Sequence, residues 1–144
     1  MRITIYLDLI EPISLNVVNK YRVQGKFVKT YKSKKAKELK NLIDQALKDK
    51  RNKESINQFN SYYDINKHYL NFTYRYYYPI FTKKGLISKT GGDTSNLIKF
   101  IEDCLFSHLD ADDSQVIQVS ATKIHSEEIK TVIEIDILDL TSIS

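Results

Sequence analysis

Alternation of apolar and polar residues predicts strands at both ends of the chain. Residues 2–9 place Ile and Leu at every second position, as a strand buried on one face does. A β-branched and aromatic run predicts another strand over 69–78. Two more strands are predicted over 115–125 and 131–139, and we expect residues 126–129 to join them as a hairpin.

Two segments carry apolar residues at the three- and four-residue spacing of a helix. The first begins after Ser33, a residue suited to cap a helix, and we expect it to end near residues 50–52. The second covers about 94–106. Its apolar face, which must pack on the sheet, consists of Leu97, Phe100, Ile101, Cys104 and Leu105.

Two stretches are less clearly patterned. Residues 13–33 are loop-like, with room for a short hairpin of 21–24 against 26–30. Residues 53–66 are polar and fit either a loop or a further helical turn. The order strand, helix, strand, helix, strand, strand predicts an α+β fold. We expect one domain over residues 1–144, with a mixed, mostly antiparallel sheet and two main helices packed on it.

Charge is distributed unevenly along the chain, whose net charge is +4. Residues 20–53 hold 13 Lys and Arg against three acids, whereas residues 102–144 hold ten acids against two Lys. A basic half beside an acidic half favours a polyanionic partner such as nucleic acid, with metal or acid–base chemistry in the acidic half. The alternative is that these charges merely solvate the surface.

Composition excludes several classes of protein. No apolar run is long enough for a membrane helix, and the N-terminal residues resemble a strand rather than a signal peptide. A single cysteine, Cys104, excludes an internal disulfide framework, and we expect it in the core. The three histidines have no zinc-binding spacing. A cytoplasmic location fits best.

The five tyrosines of the 69–78 strand invite two interpretations. Exposed aromatic rings can stack on nucleic-acid bases. The simpler interpretation is that Tyr74, Tyr76 and Tyr78 fill one face of the sheet together with Leu70 and Phe72.

Candidate catalytic residues are most concentrated between Asp93 and Asp113, where six carboxylates fall within 21 residues. At about 100° per residue, Asn96, Lys99 and Asp103 share one polar edge of the second helix, whereas Glu102 points away from it. Because a strand follows Asp113 directly, this carboxylate can approach Asp93 if that strand pairs beside the helix.

Carboxylates that converge from a helix start and a strand start suit a hard cation such as Mg²⁺. Such an ion can orient a phosphodiester and activate water, and an adjacent lysine can neutralise the developing charge. Simpler interpretations stay open: Asp93 as a helix cap, Lys99 with Asp103 as an exposed ion pair, and residues 110–113 as a solvated turn.

These residues resemble a known family. The pattern Asp93-x-x-Asn96-Leu97-x-Lys99, then Asp103-x-Leu105, then Asp112-Asp113-x-Gln115-Val116 is similar to that of the RusA family of Holliday junction resolvases. The predicted order of elements agrees over most of the chain. The resemblance implies an endonuclease that depends on Mg²⁺, for which Mn²⁺ can substitute. It also implies a homodimer that cuts four-way DNA junctions by paired incisions, often prophage-encoded, in a bacterial or phage-infected cell.

The resemblance also implies roles for individual residues. Asp93 and Asp113 would bind the metal, with Asp112 and Asp103 as supporting acids. Lys99 would act near the scissile phosphate, and Asn96 would orient the site. We further expect basic residues to contact DNA phosphates. These are Lys20, Arg22, Lys26, Lys32, Lys34, Lys35, Lys83, Lys84 and Lys89.

One departure from the family pattern affects the expected activity. Well-known members carry a second aspartate where this chain has Ser95. Serine brings no charge, so a catalytically weak or inactive protein that binds branched DNA is an alternative. A nuclease that cuts flaps or forks, and an interaction module without catalysis, are two others.

Overall fold

The computed structural model describes residues 1–8, 19–24, 27–32, 34–81, 83–86 and 94–143. For 19–24, 27–32, 35, 94–96, 142 and 143 it describes the backbone alone. The strands are β1 (Arg2–Asp8), β2 (Asn19–Gln24), β3 (Phe27–Lys32), β4 (His68–Tyr78), β5 (Val116–His125) and β6 (Lys130–Asp139). The helices are α1 (Lys34–Leu47), α2 (Lys50–Tyr62) and α3 (Thr94–Phe106), and short 3-10 turns follow at Asp113–Gln115 and Leu140–Ile143.

Four strands form a mixed sheet in the order β1-β6-β4-β5. The pairs β1–β6 and β6–β4 are antiparallel, and β4–β5 is parallel. Strands β2 and β3 form a separate antiparallel hairpin, which confirms the hairpin predicted around residue 25. The α+β class and the mostly antiparallel sheet are confirmed.

The predicted hairpin between β5 and β6 is wrong, because β4 lies between these two strands. The apolar face of β4 is buried along its whole length, whereas β5 exposes side chains on both faces. The more apolar strand therefore takes the central position with a neighbour on each side. The connection from β5 passes the end of β4, where the Ser126 N–H donates to the Tyr78 carbonyl at 3.0 Å.

The first helix is shorter than predicted, and an additional helix, α2, follows it. Helix α1 ends at Leu47, and residues 50–52, where we expected its end, form the first turn of α2. Residues 53–62, which fitted either a loop or a helical turn, are therefore helical. The α2 side chains that face inward are Asn52, Ile56 and Phe59.

The helices cover one face of the sheet and close a single cluster of buried apolar side chains. Helices α1 and α2 pack on β1, and α1 also contacts α3. Helix α3 meets β4, where the rings of Phe106 and Phe72 stack with centroids 5.6 Å apart. The α3 face predicted from its spacing is buried, including Cys104. Tyr74 and Tyr76 are fully buried, which confirms that they fill the sheet face.

An ion-pair cluster joins α1 to the segment after α3. Asp44 accepts a hydrogen bond from Lys40 Nζ at 2.7 Å, and Nε2 of His108 lies 3.3 Å from its other oxygen. Burial alone would raise the pKa of the Asp44 carboxyl, but the hydrogen bonds with Lys40 and His108 outweigh it and lower the pKa. A lowered pKa in the folded state means that ionised Asp44 stabilises the fold.

Replacing Asp44 with asparagine should therefore make the free energy of unfolding less dependent on pH in the acidic range. The contribution is present above the carboxyl pKa of the unfolded chain, about 4, and is lost as pH falls through the lower folded-state value. We expect Asp44→Asn to cost about 1 kcal/mol or less at pH 7, since the groups are partly exposed, and less still at pH 3. Urea unfolding at the two pH values measures this, with exposed Asp49→Asn as the control. An equal cost at both pH values would contradict it.

Candidate functional site

The helix side of the site is set by how α3 packs. Because the apolar face of α3 is buried against the sheet, its polar side chains project along the edge of that contact. Lys99 and Asp103 are exposed there, one turn apart. They form no ion pair within 4 Å in the part of the chain that the structure describes. The interpretation of these two residues as a simple surface ion pair is therefore wrong.

A short turn brings two further carboxylates to the start of β5. Asp112 caps the 3-10 turn at Asp113–Gln115, since its side chain accepts a hydrogen bond from the Ser114 N–H at 3.0 Å. Strand β5 then begins at Val116, which pairs with Leu70 of β4. The cap and the parallel pairing together fix the place of Asp113 at the strand start.

Helix α2, which the sequence pattern left open, also holds the segment before this turn. The side chain of Asn60 donates to the carbonyl of His108 at 3.2 Å and accepts from the N–H of Asp110 at 2.8 Å. These two bonds tie residues 108–110 to α2. Asn60 is therefore a positioning residue that the sequence analysis missed, since a polar residue in a polar segment gives no signal of its own.

Asp112 and Asp113 are neighbours, and their pKa values move apart. The bond from the Ser114 backbone N–H lowers the pKa of Asp112, and the neighbouring Asp113 carboxyl lowers it further. The Asp112 carboxyl raises the pKa of Asp113, and the charge of Asp103 adds to this. The charge of Asp103 therefore reaches Asp113, so the helix acid and the turn acids belong to one electrostatic cluster.

Glu102, which the sequence analysis placed off the polar edge of α3, lies within electrostatic reach of this cluster. Burial raises the pKa of Glu102, and the charges of Asp113 and Asp103 raise it further, whereas the Tyr74 hydroxyl lowers it. The prediction placed Asn96, Lys99 and Asp103 on one polar edge of α3 and left Glu102 outside it. Helical geometry puts Lys99 about midway between the directions of Glu102 and Asp103.

A cleft of about 830 Å³ borders the turn acids. Its lining includes the aromatic side chains of Tyr62, Tyr63 and Phe106, together with the carboxylates of Asp112 and Asp113. The pKa of Tyr63 is raised by burial first and then by the charges of Asp112 and Asp64. The carboxylates at the start of β5 are therefore accessible to solvent and to a substrate.

Part of the predicted site lies outside the described residues. Asp93 precedes them, and for Asn96 the structure describes the backbone in α3 but not the side chain. The structure thus places Asp113 next to Asp112 and within electrostatic reach of Asp103, and it leaves their relation to Asp93 a prediction.

The donor chemistry fits Mg²⁺, although no complete metal site is formed by the described residues. Among the residues that the structure describes, no group of three or more His, Cys, Asp or Glu is close enough to hold a metal. Every charged donor in the cluster is a carboxylate, the ligand type that Mg²⁺ prefers, and Mg²⁺ commonly uses only one or two carboxylates together with water. Asp93 and Asp113, with Asp112, would be the residues to hold it.

The predicted DNA-binding residues occupy three places. Lys34 is exposed at the start of α1, and Lys83 and Lys84 are exposed in the turn before Gly85. Lys20, Arg22 and Lys32 lie on the β2–β3 hairpin and Lys35 on α1, where the structure describes the backbone alone. Lys26 and Lys89 lie outside the described residues.

Not every acid of the C-terminal half belongs to the cluster. Asp136 accepts hydrogen bonds from the Arg2 guanidinium at 2.7 and 3.2 Å. Glu134 pairs with Arg2 at 3.1 Å and also with Arg75. These pairs join β1, β6 and β4. Both acids therefore hold neighbouring strands together and are not part of the candidate site.

Comparison with protein families identifies the chain's relatives. Residues 12–136 match the model of endodeoxyribonuclease RusA, which covers most of the 144 residues. The chain belongs to the RusA family. Membership confirms the resemblance found in the acid and lysine pattern, and it places the chain among endodeoxyribonucleases, a family that acts generally in Holliday junction resolution. A comparison with curated proteins finds no match.

The described helices give one further finding about this RusA-family chain. None of them is both long and apolar enough to cross a membrane.

Proposed function

We propose that this RusA-family chain is a Mg²⁺-dependent, structure-selective endonuclease that resolves four-way DNA junctions by paired phosphodiester hydrolysis. The observation that supports this most is the electrostatic contact between Asp113 and Asp103, two carboxylates of the family pattern, on the helix that also carries Lys99. Mn²⁺ is expected to substitute for Mg²⁺.

Each residue of the site has a role in this proposal. Asp93 and Asp113, supported by Asp112, hold the ion, which when bound orients the phosphate and lowers the pKa of a water. The Lys99 ammonium stabilises the negative charge that develops on the phosphoryl oxygens. Asp103, one turn further along α3, adds negative charge to the cluster beside Asp113. Asn96 orients the start of the helix side of the site.

DNA binding would come from the basic half of the chain. Lys34, Lys83 and Lys84 are exposed, as phosphate contacts require. Such contacts position the DNA without reading its sequence. The lysines therefore supply affinity, whereas the junction's shape supplies selectivity.

Paired incision requires two active sites, so we infer a symmetric homodimer. The sheet supports this inference, since β5 pairs only with β4 among the described strands. Its apolar side chains Ile117 and Val119 are 60% and 44% exposed. A free apolar edge strand usually pairs with another chain or is covered. We also expect the protein to act in the cytoplasm of a bacterial or phage-infected cell, often from a prophage.

A plasmid that extrudes a cruciform tests the paired incision. Paired cuts at the cruciform base produce linear DNA, whereas a single cut relaxes the plasmid and leaves a nicked circle. We expect mostly linear product in Mg²⁺ and a dimeric mass by light scattering. Nicked circles alone, together with a monomeric mass, would contradict the dimer.

A second candidate is a protein of the same fold that binds branched DNA with weak or no catalysis. Ser95 favours it, because the chain lacks the acid that well-known family members carry at this position. This candidate predicts selective junction binding without nicking, and a gain of cleavage in Ser95→Asp. Wild-type protein that nicks junctions in Mg²⁺ would exclude it.

A further inference from the structure

A basic cavity borders the segment that leads to the turn acids. It has a volume of about 430 Å³ and lies where the end of α1, one side of α2 and the residues after α3 meet. Two lysines, two asparagines and His108 line it, and the buried side chains of Leu47 and Ile56 supply its apolar part. None of the described residues that line it is acidic, whereas four aspartates line the cleft beside Asp113. The two cavities therefore differ in the sign of their charge.

Helical spacing explains why these polar residues share the basic cavity. Lys53, Asn57 and Asn60 follow one another at steps of four and three residues, so they lie along one side of α2. Glu54, the acid next to Lys53, is about 100° away around the helix and lines a different cavity. Lys48 adds a second cation from the turn between α1 and α2. Helix α2 therefore turns its cation toward the basic cavity and the neighbouring acid away from it.

The two lysines are available to an anion. Lys48 and Lys53 are exposed, and neither forms an ion pair or a side-chain hydrogen bond within the part of the chain that the structure describes. Asp44 contacts the lining through His108, at 3.3 Å, but its carboxylate is already paired with Lys40 at 2.7 Å. Because like charges in one cavity repel each other, an anion bound between the two lysines would stabilise both.

Asn60 joins the basic cavity to the candidate active site. It lines the cavity, and its side chain bonds the backbone of His108 and of Asp110, which lines the cleft beside Asp113. His108 and Asp113 are five residues apart, and a chain segment of that length spans at most about 18 Å. Phosphates of one DNA strand rise by about 3.4 Å per nucleotide. A strand with one phosphate at Asp113 can therefore place another at the basic cavity within about five nucleotides.

We propose that the basic cavity binds a DNA backbone phosphate between Lys48 and Lys53, with the Asn57 amide as a further hydrogen-bond donor. The phosphate belongs to the strand that passes the turn acids, within about five nucleotides of the bond that is cut. None of these three residues is among the phosphate contacts expected from the sequence. The inference rests on the proposed action on DNA and adds a binding site to it. The competing explanation is that both lysines only solvate the corner between α1 and α2.

Junction binding across a series of salt concentrations tests the site apart from cleavage. Fluorescence anisotropy of a labelled four-way junction, in EDTA, is measured for wild type and for the double variant Lys48→Gln/Lys53→Gln. Each phosphate contact contributes about 0.9 to the slope of log affinity against log salt concentration. We expect the double variant to bind several-fold more weakly at low salt and to lose about 0.9 of that slope.

A neighbouring lysine controls for the loss of charge alone. Lys50 is exposed on α2, three residues before Lys53, and does not line the basic cavity. Lys50→Gln should therefore keep wild-type affinity for the junction, whereas Lys53→Gln should weaken it. Equal losses in the two single variants would reduce the effect to general positive charge and overturn the site.

Filling the basic cavity without changing its charge tests whether the phosphate enters it. Asn57→Phe adds a ring to the lining and keeps both lysines, so we expect weaker junction binding. Gln58→Phe, exposed on α2 and outside the lining, is the matched control and should bind as wild type does. Thermal unfolding checks that each variant is folded. Wild-type affinity in Asn57→Phe would place the phosphate outside the cavity and contradict the proposal.

Inorganic phosphate distinguishes a DNA site from a site for a free anion. Phosphate that raised the Tm of wild type but not of the double variant, with junction affinity equal in both, would assign the basic cavity to a free anion and overturn the proposal. Unchanged junction affinity in the double variant and in Asn57→Phe would remove the site and leave the proposed function standing. A wild-type chain that binds no junction would contradict the proposed function and this proposal together.

Discussion

Replacing Asp113 with asparagine should lower the rate of four-way junction cleavage by at least ~100-fold, with little change in junction affinity. Asparagine keeps the size of the side chain and removes its charge. The Ser114 N–H still bonds to Asp112, so the turn at the start of β5 should keep its shape. The ion would then lose a ligand, while the basic residues that contact phosphates are unchanged.

Lys99→Ala should have an effect of similar size for a different reason. Removing a cation that stabilises transition-state charge typically costs about 100- to 1,000-fold in rate. Because Lys99 does not bind the ion, the affinity for Mn²⁺ should change less than in Asp113→Asn. Gel assays of cleavage and of binding to a labelled junction measure both effects, and Asp49→Asn is the control for removal of an exposed carboxylate. Two variants that both cleave at the wild-type rate would show the mechanism to be wrong.

Replacing Asn52 with alanine should have the largest effect on stability. Asn52 is fully buried, and its side chain bonds both the N–H and the carbonyl of Tyr6, at 2.9 and 2.7 Å. It also donates to the carbonyl of Ala46 at 2.8 Å. One side chain thus provides hydrogen-bond partners for the backbone of Tyr6 on β1 and for the Ala46 carbonyl near the end of α1.

Alanine would leave the N–H and the carbonyl of Tyr6 without this partner and create a cavity, whereas the Ala46 carbonyl would keep its bond from the Asp49 N–H. Each unsatisfied group costs about 1–3 kcal/mol, so we expect a total of about 3–5 kcal/mol. Urea unfolding of Asn52→Ala measures this. Asn57→Ala on the exposed side of α2 is the matched control and should cost less than about 0.5 kcal/mol. A similar small cost for both variants would contradict this account of how α2 is attached to β1.

The same residue explains why α2 was harder to predict than the other helices. Its inward side chains, Asn52, Ile56 and Phe59, have helical spacing, but the first of them is polar. Pattern analysis counts a buried asparagine as a solvent-facing position. The bonds that justify its burial join segments 46 residues apart, so no local window contains them.

Strand positions were predicted well and strand neighbours less well. The bounds of β1, β4, β5 and β6 agree with the predictions within one residue, since alternation is a local property. The order of the strands depends on which strand buries more surface. A short connection between β5 and β6 suggested a hairpin. Strand β4, whose buried face is rich in aromatic residues, instead lies between them in the sheet.

For the candidate site, too, the sequence predicted the residue types but not how their side chains are oriented. The pattern of Asp93, Lys99 and Asp113 led to the family, because these residue types at this spacing are specific in combination. The direction of Glu102 depended on how α3 is rotated against the sheet, which the helix alone does not determine.

Cleavage of a labelled four-way junction, with and without Mg²⁺, tests the central claim most directly. Wild-type protein is incubated with the junction and with a linear duplex of the same sequence, in Mg²⁺ or in EDTA. We predict symmetric nicks in the junction in Mg²⁺, none in EDTA and none in the duplex. An intact junction in Mg²⁺, or equal cutting of junction and duplex, would contradict the proposal that this chain is a junction-resolving nuclease.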